Sequence, residues 1–178
     1  MKLITERLRL SPWQESDRQV FTGLYANPLA TRDFGRVLTS EESGETFDKY
    51  IKTYDDHGFT RWKLTLADET FIGTNGLMRV NDHPDLGTHD EIGWRMLPEH
   101  WGKGYATEAA IISLEDAQTR CGLRNILTYT TPQNKASRAV MERLNFKRQQ
   151  ALDFTTHLKG FPPYHLKVWT VPNPDEMP

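Results

Sequence analysis

The chain has 178 residues, of which 37% are hydrophobic, a formal net charge of -2 and one cysteine, Cys121. This length suits one domain with a core large enough to fold without disulfides, which we expect over residues 1–172, followed by a tail over 173–178. The near-neutral charge argues against nucleic-acid binding through a basic field, and a single cysteine excludes an internal disulfide. No Cys/His cluster has the spacing of a zinc site, so we expect no metal.

Membrane and export signals are missing from the sequence. No segment approaches the roughly 20 consecutive apolar residues of a membrane-spanning helix. The N-terminal residues MKLITERLRL lack an apolar run of signal-peptide length. We therefore expect a cytoplasmic protein that makes no membrane contact.

The first part of the chain predicts a strand followed by two helices. Alternating apolar residues predict a short strand over 7–10, and helical spacing predicts a helix over 17–27 that Pro28 ends. Thr39 and Glu42 form the pattern of a capping box at the start of a second amphipathic helix.

The middle of the chain predicts three strands and a third helix. Residues 61–66 alternate with period two and 71–80 follow after a short turn, which predicts an antiparallel hairpin. A strand is predicted over 91–97, and a helix over 107–121 whose apolar stripe ends at Gly122.

The last part predicts a strand over 125–131, a helix over 135–145 and two strands over 146–155 and 164–171. The element order is then β-α-α-β-β-β-α-β-α-β-β. It indicates an α/β (α+β) domain with about seven strands and four helices.

A glycine-rich turn, WGKGYATEA at 101–109, leads from a predicted strand into a predicted helix. The dinucleotide pattern G-x-G-x-x-G would require glycine at Thr107, and the P-loop pattern does not occur. Gly102 and Gly104 allow a ligand to approach the backbone, and the helix directs its unpaired N–H groups at the turn. The turn suits a diphosphate, with Lys103 adding charge, although a plain β-α turn explains the glycines equally well.

This stretch resembles the acyl-CoA-binding motif [QR]-x-x-G-x-[GA] of the GCN5-related N-acetyltransferases (GNAT superfamily), with tryptophan in the first position. The form WGKGYATEA resembles the RimJ/RimL-type ribosomal-protein N-acetyltransferase branch. The stretches TERLRLSPW, FIGTNGL and TPQNKASRAVMERLNF resemble that branch in the same order, so the resemblance covers nearly the whole chain. It implies the GNAT fold, a mixed, mostly antiparallel twisted sheet that splays open between the strands at 91–97 and 125–131.

The resemblance also implies acetyl-CoA as cosubstrate, with its pantetheine arm in the gap of the sheet along a free backbone edge at 95–97. Asn134 matches the family asparagine that hydrogen-bonds the pantetheine, and Ser137 matches the serine near the thioester sulfur. Asn145 replaces the commoner glycine after the last helix and must adopt a left-handed conformation, which asparagine tolerates. The implied cofactor contacts are Arg95, Met96, Leu97, Trp101, Gly102, Lys103, Gly104, Tyr105, Ala106, Thr107, Asn134 and Ser137.

The implied reaction is attack of a neutral amine on the thioester, which needs a base and a proton donor for the leaving thiolate. Ser137 is the candidate donor, or else it supports the first turn of its helix. The candidate bases are Glu91, beside the gap, and His157, a loop histidine with a reference pKa of about 6.5. Pairing of Glu91 with Arg95 and simple exposure of His157 are the alternatives. Cys121, on an apolar stripe, is expected to be a small buried residue rather than a nucleophile.

Several functions agree with these residues. The leading one is an acetyl-CoA-dependent N-acetyltransferase that acts on a protein N-terminus or a small amine. An antibiotic, a polyamine or an amino-acid derivative as acceptor would use the same cofactor site with a different pocket. The non-enzymatic alternative is a CoA-binding sensor without turnover. Aromatic residues at Trp13, Phe34, Phe161 and Tyr164 line the acceptor pocket or belong to the core. The sequence leaves open these alternatives and the choice between monomer and homodimer.

Overall fold

The computed structural model describes residues 1–81, 83–156 and 163–172, apart from the side chains of Phe34 and Tyr164. Helices in these residues are α1 (Arg18–Ala26), α2 (Ser40–His57), α3 (Tyr105–Thr119) and α4 (Lys135–Arg143). Strands are β1 (Leu3–Ile4), β2 (Leu8–Ser11), β3 (Arg61–Leu66), β4 (Phe71–Val80), β5 (His89–Met96), β6 (Leu127–Thr130), β7 (Lys147–Arg148), β8 (Phe154–Thr156) and β9 (Tyr164–Thr170). Within these ranges no helix has the length and apolar character needed to cross a bilayer.

The strands form one sheet in the order β1-β2-β3-β4-β5-β6-β9-β7, with β8 added beside β9. Every pairing is antiparallel except that of β5 with β6, which is parallel and has a single register pair, Glu91 with Leu127. Beyond that pair the two strands separate toward Met96 and Thr130. The predicted splayed, mostly antiparallel sheet is therefore confirmed.

The described residues contain nine strands rather than the expected seven. One addition is β1, which pairs with β2. The other arises because the strand predicted over 146–155 is divided by a 3-10 turn at Gln150–Leu152. Asp153 ends that turn with its carboxylate accepting from the N–H of Val168 at 3.1 Å. The Asp153 carboxylate replaces a backbone carbonyl as the acceptor of this hydrogen bond, so the β-ladder with β9 is interrupted.

Helices cover both faces of the sheet. On one face α3 and α4 bury an apolar cluster that includes Ile92 and Leu114. On the other, α1 and α2 bury an aromatic cluster around Phe21 and Phe47. Trp13 belongs to this second cluster, 4.9 Å from Phe21 in an edge-on contact. It is therefore a core residue and not part of an acceptor pocket.

Local signals at the helix ends agree with the sequence. The N–H of Glu42 donates to Thr39 Oγ1 at 3.2 Å, and the N–H of Thr39 donates to Glu42 Oε2 at 2.9 Å, so the capping box forms. Asn145 has the expected left-handed backbone, with φ of 56°. Helix α3 begins at Tyr105, two residues earlier than predicted, because Gly104 with φ of 82° acts as its N-cap.

Candidate active site

A cavity of about 690 Å³ lies between the end of β5, the N-terminal turn of α3 and α4; we call it the large cavity. Among the predicted cofactor contacts, Leu97 and Lys103 do not line it. Those that line it are Arg95, Met96, Trp101, Gly102, Gly104, Tyr105, Ala106, Thr107, Asn134 and Ser137. The tertiary structure thus brings the glycine-rich turn and the end of β5 to one space with the start of α4.

The N-terminal turn of α3 is open to a ligand. Gly104 makes no side-chain cap, and the first intrahelical bond runs from the N–H of Glu108 to the Gly104 carbonyl at 3.1 Å. The N–H groups of residues 105–107 thus have no intrahelical acceptor. A Cβ added at Gly102 would meet nothing within 4 Å. Unpaired donors, open space and the positive end of the helix dipole fit a diphosphate such as that of CoA.

Of residues 95–97, where a free backbone edge is expected, Met96 is the one that directs its backbone groups into the gap of the sheet. The N–H of Leu97 donates to Ile72 at 2.9 Å, and the Leu97 carbonyl accepts from His100 at 3.0 Å. Antiparallel alternation turns the backbone groups of Met96 to the opposite side, toward the gap. There the Met96 carbonyl accepts from the indole Nε1 of Trp101 at 3.0 Å. Trp101 is therefore tied to the strand as well as to the loop.

Basic residues that the sequence did not single out also line the large cavity: Arg7, Arg32, His100 and Arg143. The guanidinium of Arg7 binds Glu108 at 2.5 Å and the carbonyl of Lys103 at 3.0 Å. Arg32 stacks over the ring of Trp101 at 4.5 Å. His100 directly precedes the glycine-rich turn, whereas the three arginines come from separate segments, so no local pattern could have indicated the arginines.

The two carboxylates that the structure describes in the lining of the large cavity are each paired with an arginine. Burial opposes ionisation of Glu108, but hydrogen bonds from Thr5 and Arg7 outweigh it and hold the pKa of Glu108 below its ordinary value. Asp33 accepts two hydrogen bonds from Arg95, at 2.7 and 3.0 Å. The cavity therefore presents no unpaired carboxylate from these two residues to a phosphate.

A second cavity of about 380 Å³, which we call the small cavity, lies on the other side of β5. Its lining includes Glu91, Gly93 and Arg61, and it extends to β6. Both cavities share the same five lining residues, Asp33, Trp94, Arg95, Asn134 and Ser137. The two spaces meet where β5 separates from β6, next to the start of α4.

Asn134 and Ser137 form the N-terminal cap of α4 at this junction. The Asn134 Oδ1 accepts from the backbone N–H of Ser137 at 3.1 Å. The Ser137 hydroxyl takes no part in that cap and has no hydrogen-bond partner among the residues described. The hydroxyl is thus free to meet a ligand, whereas helix support comes from the backbone of Ser137.

Glu91 is buried with 8% of its surface exposed and binds the guanidinium of Arg61. Burial raises the pKa of Glu91 above its ordinary value, and the charge of Arg61 opposes this shift. The alternative that Glu91 pairs with Arg95 is wrong, because Arg95 is held by Asp33. Gly93 makes room for the Arg61 guanidinium, since a Cβ there would lie 2.5 Å from Arg61 Nη2.

The remaining sequence candidates divide into two groups. His157 and Phe161 lie outside the described residues, as do the side chains of Phe34 and Tyr164. Cys121 packs partly buried against the core, and burial raises the pKa of its thiol. Over 1–81, 83–156 and 163–172, no three His, Cys, Asp or Glu side chains are arranged to hold a metal ion.

The splayed sheet and the helix N-terminus that opens into its gap match the fold that the resemblance to the GNAT superfamily implies. Residues 7–147 match the family model described as "Acetyltransferase (GNAT) domain". The chain therefore belongs to the GNAT acetyltransferase superfamily, and the resemblance read from the motifs is confirmed at that level.

Curated relatives agree with this assignment. The chain is 28% identical to the uncharacterized N-acetyltransferase YoaA of Bacillus subtilis, over 98% of each chain. It is 32% identical to the FsC-acetyl coenzyme A-N(2)-transacetylase of Aspergillus fumigatus, over 78% of this chain and 62% of that protein.

Solved structures share the fold. An acetyltransferase from Agrobacterium tumefaciens superposes with a TM-score of 0.81 at 24% identity, covering 97% of this chain and 95% of that one. RimL, a ribosomal L7/L12 alpha-N-protein acetyltransferase solved with coenzyme A, superposes with a TM-score of 0.72 at 16% identity, covering 96% and 98%. At these identities the likeness establishes the fold.

Proposed function

We propose that this chain is an acetyl-CoA-dependent N-acetyltransferase that acts on a primary amine by direct attack in a ternary complex. The observation that carries the proposal is the junction of the two cavities at Trp94, Asn134 and Ser137. A cavity of about 690 Å³ suits a cofactor arm, and one of about 380 Å³ lies within the range of about 300–1,000 Å³ typical of small-ligand sites.

In this proposal the chain holds the cosubstrate at three places. The N–H groups of residues 105–107 bind the diphosphate at the positive end of α3. The N–H of Met96, whose carbonyl is held by Trp101, pairs with the pantetheine arm, and the amide nitrogen of Asn134 donates to that arm while Oδ1 caps α4. Bound acetyl-CoA supplies an acetyl group activated as a thioester.

Acyl transfer forms a bond from the amine nitrogen to the acetyl carbon and breaks the bond from that carbon to sulfur. Ser137 donates its hydroxyl proton to the leaving thiolate, directly or through water, and regains a proton from solvent. The proton lost by the amine goes to Glu91 through water or to His157. Burial raises the pKa of Glu91, which makes it a stronger proton acceptor than an exposed carboxylate.

Two acceptor classes are compatible with this mechanism. The motif WGKGYATEA and the fold shared with RimL support the RimJ/RimL-type branch and a protein N-terminus as acceptor. The size of the small cavity and the FsC transacetylase relative support a small-molecule amine. We further propose a cytoplasmic protein, a monomer or homodimer, with one GNAT domain over residues 1–172.

A thiol-release assay with acetyl-CoA and a panel of amines tests this function. The panel contains peptides with free N-termini, amino acids, aminoglycosides and polyamines, and the control reaction contains no amine. We expect amine-dependent release of CoA and an acetylated product with the same stoichiometry. Binding of acetyl-CoA without release for every amine would instead indicate a sensor module.

A further inference from the structure

Among the lining residues that the structure describes, basic side chains outnumber acidic ones in the small cavity. The basic residues that line it are Lys49, Arg61 and Arg95, and the acidic residues are Asp33 and Glu91. Each carboxylate is bound by one of the arginines, Glu91 by Arg61 and Asp33 by Arg95. Lys49 takes part in no ion pair with any residue that the structure describes.

The arginines of the small cavity are fixed in position. Arg61 lies against Gly93 with one Nη on Glu91 and the other 3.3 Å from the Tyr50 hydroxyl. Its Nε is buried and has no partner in the described ranges. Lys49 differs because its side chain is exposed on α2, whereas the other charged lining residues are at least partly buried. The positive charge that no carboxylate pairs with is therefore that of Lys49, and solvent reaches it.

This distribution of charge should favour some amines over others as acceptors. An ammonium group entering past Lys49 meets like charge, which disfavours di- and polyamines. An acceptor that carries its own anionic group offsets the charge of Lys49 while its amine extends to the junction of the two cavities. The positive surroundings also favour the neutral form of that amine, which is the nucleophile.

Building on the proposed function, we propose that the acceptor is an amine that also carries a carboxylate, and that Lys49 binds the carboxylate. The acceptor lies with its carboxylate toward α2 and its amine at the junction of the two cavities. Amino acids and related amino carboxylates are thus the substrate class, in preference to polyamines.

Matched acceptor pairs test this proposal. Glycine, β-alanine, 4-aminobutyrate, 6-aminohexanoate and L-glutamate are each compared with the corresponding carboxamide, with spermidine as the polyamine. Acetylation is measured as kcat/KM by thiol release, and affinity is measured by calorimetry on CoA-saturated protein. We expect at least one carboxylate to exceed its amide about tenfold or more, as for a charge-assisted hydrogen bond.

Lys49→Gln should reduce that preference to near unity by raising KM for the carboxylate, with kcat/KM for the amide little changed. Lys49→Arg should retain most of the preference. The matched control is Lys52→Gln on the same helix, since the Lys52 side chain is exposed, pairs with Asp56 at 2.8 Å and does not line the small cavity.

The outcomes separate this inference from the proposed function. Acetylation of amides or spermidine as efficiently as carboxylates would overturn the inference and leave the acetyltransferase intact. Carboxylate binding that depends on Lys49, without turnover of any amine, would support the inference and overturn the acetyltransferase. Absence of any measurable binding or turnover of the amino carboxylates would overturn the inference.

Discussion

At the residue scale, the Arg61 guanidinium occupies space that is open because residue 93 is a glycine. The Arg61 guanidinium lies against Gly93 of β5 and binds Glu91, and a Cβ at residue 93 would lie 2.5 Å from Arg61 Nη2. Glycine in a strand usually marks such a close approach. Gly93 thus sets the geometry of the Arg61–Glu91 ion pair that lines the small cavity.

Gly93→Ala should displace Arg61 and destabilise the protein by about 1–3 kcal/mol, as overpacking of a filled site does. Activity should fall with it. The matched control is Gly23→Ala in α1, where the added Cβ meets nothing within 4 Å and helix propensity should stabilise by about 0.5–1 kcal/mol. Urea denaturation measures both, and equal stability changes in the two variants would contradict the contact.

Ser137→Ala should lower kcat by roughly 10- to 10⁴-fold with CoA affinity nearly intact, because a general acid acts in the transition state. The cap of α4 should survive, since it uses the backbone N–H of Ser137. Asn134→Ala provides the contrast, with a loss of about 1 kcal/mol of stability from the lost cap. A normal kcat in a folded Ser137→Ala variant would remove Ser137 from the mechanism.

The base is tested by comparing Glu91→Gln with His157→Gln on one acceptor. Loss or displacement of the acidic limb of the kcat/KM profile in one variant identifies that residue as the base. Because the acceptor amine also titrates, with a reference pKa of about 8 for an α-amine, the comparison uses the same acceptor throughout. Unchanged profiles in both variants would mean that the amine loses its proton to solvent.

At the element scale, helix termini determine both stability and binding. The capping box of α2 uses Thr39 and Glu42, and Arg36 binds the Glu42 carboxylate at 2.5 Å. The hydrogen bond from Arg36 and that from the backbone of Thr39 lower the pKa of Glu42 to about 2. The start of α3 differs because Gly104 leaves the first N–H groups for a ligand.

Thr39→Ala should lower the free energy of unfolding by about 0.5–2 kcal/mol, because the capping hydrogen bond at the start of α2 is lost.

Glu42→Gln should destabilise the protein at pH 7, and this destabilisation should become smaller as the pH is lowered. A lowered folded pKa means that the Glu42 contribution is present above its unfolded value, near 4.5, and is lost as pH falls through about 2. Denaturation curves from pH 7 to pH 2.5 should therefore converge for wild type and Glu42→Gln, and a constant difference would contradict the assignment.

Gly104→Val should weaken CoA binding strongly, because the side chain enters the anion site at the start of α3. Part of its effect on folding comes from the left-handed backbone, with φ of 82°. Gly122→Val is the matched control, since Gly122 has φ of 66° and open space but lies after the other end of α3. Calorimetric titration with CoA should separate the two, and similar affinities would count against the site.

At the scale of the whole molecule, the splay of the sheet creates the site. Strands β5 and β6 pair at Glu91 and Leu127 and then separate. The space between them is bordered by α3 on one side and α4 on the other, and both cavities open from it. A ligand in this space contacts elements far apart in the chain, so its binding is coupled to the integrity of the fold.

Acetyl-CoA and CoA should therefore raise the melting temperature. At a concentration of 100 times the Kd the stabilisation is about 2.7 kcal/mol. NADH and ATP should have much smaller effects, because they lack the pantetheine arm that follows the gap. Differential scanning fluorimetry measures all four ligands, and equal shifts would contradict the assignment of the large cavity.

Much of the fold could be predicted because its signals are local. Period-two and helical spacing located the four helices and most strands, the capping box fixed the start of α2, and Asn145 adopts the expected left-handed turn. The glycine-rich turn gave the larger part of the candidate cofactor site. The sequence pattern did not predict the interruption of the strand expected over 146–155, because the interruption depends on the contact of Asp153 with β9.

The sequence by itself determined the elements, their order and the loop at the start of α3, since each depends on residues a few positions apart. The tertiary structure decided the ion pairs of the small cavity, which join residues 30 and 62 positions apart. It also brought Arg7, Arg32 and Arg143 to the large cavity and Lys49 to the small one. Partners so distant are chosen by chain packing, and no spacing within a segment records that choice.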